Sequence, residues 1–73
     1  MKKAIYSTEH RYIVERLREA RKAAGLDQRN AAKLLKVSQS YISKIEAGQR
    51  RIDVIQLKQF ARIYKKTLSF FIG

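Results

Sequence analysis

Residues 38–51 read SQSYISKIEAGQRR. If a helix starts after Ser38, then Gln39, Ser40, Ser43, Lys44 and Ala47 fall at i, i+1, i+4, i+5 and i+8 and share one face. Ile42 and Ile45 take the opposite face. A solvated helix face is ordinarily filled with Lys and Glu, which are good helix formers. This one carries a carboxamide, two short hydroxyls and a single ammonium, with Arg50 and Arg51 just past its end. A carboxamide and a hydroxyl each donate and accept hydrogen bonds. Such a face is equipped to read a patterned polar surface, not merely to remain in water.

The charge balance indicates what kind of surface. Seventeen Lys and Arg against six Asp and Glu give a formal net charge of +11 over 73 residues. That favours a polyanion: DNA, RNA or an anionic membrane surface. Disorder is the other reading of high charge. Here 45% of residues are hydrophobic and recur with helical period, which argues for a folded chain. Bond-making chemistry has little support. The single His10 and the absence of cysteine exclude the usual zinc sites and any disulfide, and neither an acid–base pair nor a phosphate-cradling glycine loop is present. No enzyme activity and no cofactor are expected. Lack of cysteine fits a reducing cytoplasm. No apolar run approaches the roughly 18 residues of a membrane span, and MKKAIYS has no apolar stretch after it to make a signal peptide. The expectation is a cytoplasmic protein with no membrane partner.

The elements that must position this face follow from period and punctuation. A chain this short buries only about 60% of the surface its unfolded form exposes, so one small domain is expected. No proline, linker or repeat interrupts it, and an all-α chain of five helices is predicted. The first helix spans about 9–24, with Ile13, Val14, Leu17, Ala20 and Ala24 as its apolar stripe and Gly25 in a left-handed terminal position. Glu15 and Glu19 have basic residues about one turn on, Arg18 and Arg21–Lys22, which lends modest support. Asp27 caps a short helix over 28–35, whose inner face is Ala31, Ala32 and Leu35. Lys36–Val37–Ser38 forms a tight turn, Ser38 caps the next helix, and Gly48 ends it. Asp53 caps a fourth helix, with Gln56 as its capping-box partner and Val54, Leu57, Phe60, Ala61 and Tyr64 as its stripe. The tail, KKTLSFFIG, closes in a short final helix. Residues 1–8 form a basic N-terminal tail and 9–72 the domain; Lys2 and Lys3 are expected to fray in solvent rather than enter a minor groove.

Two short helices joined by a three-residue turn, inside a basic five-helix chain, describe a helix-turn-helix. GLDQRNAAKLLKVSQSYISKIEAGQRRID resembles the DNA-binding domain shared by phage repressors, Cro proteins and many small bacterial regulators, the XRE-like family. The sharpest marks are Gln28, Ala32, Val37–Ser38 and the run from Ile42 to Gly48. The resemblance extends over about 9–72 and implies a compact, lambda-repressor-like all-α fold with helices 2 and 3 as the motif.

It also implies roles. A helix laid in the major groove presents donors and acceptors to base edges, and Gln39 suits the adenine N6/N7 edge while Lys44 reaches guanine O6/N7 or a phosphate. By similarity Gln39, Ser40 and Lys44 read bases, with Ser43 as a helper. Gln28 matches a phosphate-binding glutamine at a helix N-terminus, where orphan N–H groups favour an anion. Arg50 and Arg51, Lys36 and Tyr41 complete the expected phosphate contacts, Tyr41 being equally suited to packing; such contacts fix register without reading sequence. Glu46 matches a glutamate that pairs with an arginine of helix 1, here Arg21. Lys36 occupies a turn position usually held by Gly, so a non-glycine is expected at positive φ, and Lys65 poses the same question after helix 4.

One such domain reads few base pairs, so a homodimer on inverted half-sites about 34 Å apart is expected. Ile55, Ile63, Phe70, Phe71 and Ile72 are its candidate seam, although one of the two Phe should cap the core, since neighbours on a helix point about 100° apart. A dimeric repressor or autoregulator, of the kind found among restriction–modification controllers and phage regulators, is the leading reading. The second is an antitoxin-like protein whose Phe-rich tail binds a toxin; a link to a missing effector domain is a further option. Non-specific binding by charge alone would not require Gln39 or Ser40.

Overall fold

The computed structural model describes residues 7–73; Lys2 and Lys3, and with them the question of a basic arm, lie outside the described residues. Five helices follow one another: α1 (Thr8–Ala23), α2 (Gln28–Leu35), α3 (Gln39–Glu46), α4 (Val54–Tyr64) and α5 (Leu68–Ile72). Four of them begin on a side chain that satisfies an orphan N–H of the first turn. Ser7 accepts from the His10 amide at 3.2 Å, Asp27 from Asn30 at 2.8 Å, Ser38 from Tyr41 at 3.1 Å and Asp53 from Gln56 at 2.7 Å. Gln56 returns the bond, its Oε1 accepting the Asp53 N–H at 2.9 Å, so α4 starts in a full capping box. The Ser7 cap starts α1 at Thr8, one residue earlier than expected.

Two helices end on lysines in the left-handed region, Lys36 at φ 61° after α2 and Lys65 at φ 60° after α4. Reversal there lets the Val37 N–H reach back to the Ala32 carbonyl at 3.0 Å and the Lys66 N–H to Ala61 at 2.9 Å, satisfying carbonyls the helix leaves open. For a residue with a Cβ this conformation costs about 1 kcal/mol.

Leu17, Ala20, Ala31, Ile42, Ile45, Phe60, Tyr64 and Phe71 form the centre of the core. Ala20 and Ala31 are fully enclosed, α1 packing against α3, α4 and α5 and α2 against α3 and α4. Packing corrects three expectations. Val54 shares the inward face with Ala61 by period, but two turns earlier, where the other helices no longer cover it, and it stays 62% exposed. Ala24 falls beyond α1 and is exposed. Phe71 is 0% exposed: α5 folds back on α1 and α4 and drives this ring into the core. It therefore cannot be part of a self-association seam. Phe70 meets it edge-on, centroids 5.2 Å apart, and is only half-buried. Among the described residues no helix is long and apolar enough to cross a membrane.

Candidate nucleic-acid interface

Three contacts decide how α3 is presented. Ile42 and Ile45 lie wholly in the core, which turns Gln39, Ser40, Ser43 and Lys44 outward together, all exposed. The left-handed turn at Lys36 sets the angle between α2 and α3 and leaves that ammonium in solvent beside them. Glu46, at the last turn of α3, anchors the helix from beneath.

That anchor is a buried polar cluster. Glu46 is 4% and Arg21 8% exposed. Arg21 grips the carboxylate in a fork, Nε to Oε2 at 2.8 Å and Nη2 to Oε1 at 3.0 Å, and its Nη1 donates to the Leu26 carbonyl at 2.9 Å. Gln28 Nε2 adds a donor to Glu46 Oε1 at 3.1 Å. The cluster thus ties α1, α2 and α3 at one point. The hydrogen bonds that Arg21 donates to Glu46 raise its pKa above the ordinary value, outweighing burial, which acts the other way. Arg18 belongs to the cluster too, a role its sequence context hid. Its expected partner was Glu15; instead Nη2 donates to the Glu46 main-chain carbonyl at 2.6 Å and Nε lies 3.9 Å from the carboxylate. A hint was its place one turn before Arg21 on α1, on the side that faces α3.

Gln28 therefore has one amide donor committed inside the protein. Its second Nε2–H and its carbonyl remain for an outside partner. Tyr41 is half-buried, and its hydroxyl accepts a hydrogen bond from Gln56 Nε2. The guanidinium of Arg50 lies 4.9 Å from the centre of the Tyr41 ring, a cation–π distance. Burial raises the Tyr41 pKa, with Arg50 opposing. Arg51 is exposed, and its charge, after burial, helps lower the pKa of His10. The structure thus brings Gln39, Ser40, Ser43 and Lys44 onto one open face and sets Arg50 against Tyr41 at its flank.

The seam residues do not gather in the same way. Ile63 and Phe70 are partly buried against the core, and Phe71 wholly so, leaving Ile55 (69% exposed) and Ile72 open. Phe70 is also roofed by cations, with Arg16 3.8 Å and Lys66 4.8 Å from its ring centre.

Comparison with known proteins adds two findings. A family model described as helix-turn-helix matches residues 17–71. Among solved structures, the restriction-modification controller protein C.AhdI from Aeromonas hydrophila is similar to this chain, with a TM-score of 0.78 and 28% sequence identity over 86% of this chain and 91% of that one. No curated protein matches.

Proposed function

This chain belongs to the helix-turn-helix family, and from that premise we propose that it is a DNA-binding transcriptional regulator that reads a near-palindromic operator as a homodimer. The observation that carries the reading is the open face of α3: four short or flexible hydrogen-bonding side chains without an acid among them, backed by two fully buried isoleucines. In the major groove Gln39, Ser40, Ser43 and Lys44 address base edges, while Gln28, Lys36, Tyr41, Arg50 and Arg51 meet phosphates on either side. Likeness to a restriction-modification controller supports a small autoregulator or repressor. Dimer formation uses the α4 edge at Ile55, with Ile72 as the second apolar contact. The antitoxin-like reading loses part of its support, because Phe71 is internal and Phe70 is already covered by Arg16 and Lys66.

Selection of bound sites from a random duplex library, at near-physiological salt, tests the proposal. Two inverted half-sites about one helical turn apart are expected. Gln39→Ala and Lys44→Ala should each relax preference at particular positions by about 1–3 kcal/mol. Binding without an enriched motif, fading steeply with salt, would leave only charge-driven attachment. A monomeric mass at high micromolar concentration, free and on DNA, would remove the dimer.

A further inference from the structure

Resting on that DNA-binding reading, we propose that Gln56, on α4 and outside the helix-turn-helix motif, is a positioning residue that aims the Tyr41 hydroxyl proton at a DNA phosphate. The inference starts from the capping box. Gln56 Oε1 accepts the backbone N–H of Asp53, a group that can only donate, and this fixes which end of the carboxamide faces which way. Flipping the amide would set NH2 against N–H. Nε2 must then face Tyr41, and it too can only donate, so the phenol oxygen accepts. A phenol that accepts from the protein keeps its own proton for another partner. No second bond within the described residues uses that proton. Arg50, laid over the same ring, adds a positive charge beside it.

The result is a donor of fixed polarity. The helix cap at Asp53 orients Gln56, Gln56 orients Tyr41, and Tyr41 with Arg50 presents an O–H and a guanidinium together. Charge-assisted hydrogen bonds to phosphate are among the stronger polar contacts. Preorganisation removes the cost of turning the hydroxyl away from an internal acceptor at the moment of binding. The arrangement also links the start of α4 to α3, so the register of the two helices is carried into the contact.

Gln56→Glu is the discriminating substitution. It keeps an oxygen for the Asp53 N–H, so the cap survives. Its second oxygen only accepts, which turns the Tyr41 proton inward. The added negative charge, including any hold on Arg50, is the same whether residue 41 is Tyr or Phe. Affinity is therefore measured by fluorescence anisotropy for wild type, Gln56→Glu, Tyr41→Phe and the double variant. The probes are the duplex enriched by library selection and a scrambled duplex of equal length, and thermal midpoints are taken on the same samples. Gln56→Glu is expected to weaken binding about fivefold more in the Tyr41 background than beside Tyr41→Phe, the scale of one coupled hydrogen bond. An equal loss in both backgrounds, with wild-type binding intact, overturns the positioning role alone. Failure of the wild type to bind either duplex overturns the DNA-binding reading and this role with it.

Discussion

Two of the arginines by which α1 holds its neighbours, five positions apart, work by different physics. Arg21 points inward to Glu46, shielded from water and hydrogen-bonded in a fork. Arg16 points along the surface: its guanidinium covers the Phe70 ring, Nε donates to the Phe70 carbonyl at 2.9 Å, and Nη1 pairs with exposed Glu19 at 2.9 Å. The first fixes the outward face of α3; the second pins the short α5. A buried ion pair is costly to assemble and more costly to break on one side, because the survivor is left charged without water. A surface clamp is cheap in both directions. Rigidity is therefore concentrated under α3, while the α1–α5 seam stays within reach of modest perturbation.

The comparison is tested most severely by Glu46→Gln. It leaves Arg21 buried without its counter-charge, and chemical denaturation should show a loss of about 3–5 kcal/mol. A midpoint equal to that of wild type would reduce the inner clamp to the rank of the outer one. Arg16→Ala should cost about 1 kcal/mol, through lost cation–π and packing contact with Phe70, as read from the same denaturation curves. A loss as large as that of Glu46→Gln would mean α5 belongs to the rigid unit. Lys36→Gly probes the hinge of the motif: relief of the left-handed strain should raise stability by about 0.5–1 kcal/mol, less whatever the unfolded chain gains in freedom. A lower melting point would show the lysine side chain contributing more than its backbone costs. Smallest of all, Tyr64→Phe removes a buried hydroxyl that finds no hydrogen-bond partner among the described residues, and should be neutral or stabilising by a few tenths of a kcal/mol. A clear loss would enlist Tyr64 in the Arg21–Glu46 cluster.

What the sequence revealed divides along the same line. Caps at Asp27, Ser38 and Asp53 and the reversals at Gly25, Lys36 and Gly48 were legible because each depends on residues within one turn. The outward set on α3 was legible as a face for the same reason. Arg18 and Arg16 were not, since their partners lie 28 and 54 residues away and no local pattern encodes them. Val54 followed the period faithfully and still ended in solvent, because period specifies direction but not how far the neighbouring helices extend. Between Phe70 and Phe71, the angle between successive residues showed that only one could enter the core; choosing it required knowing how α5 turns back on α1.

Tyr64 has one more consequence. Its ring is almost wholly enclosed, and burial, reinforced by the charge of Glu46, holds its proton well above the usual phenol range near 10. The unfolded chain would release that proton near 10, so the stabilisation present below that pH is lost as pH rises beyond it. With four tyrosines and no tryptophan in the chain, near-ultraviolet absorbance is dominated by phenols. One of them should keep its proton in alkali until the core opens, which would make alkaline absorbance a label-free optical gauge of unfolding.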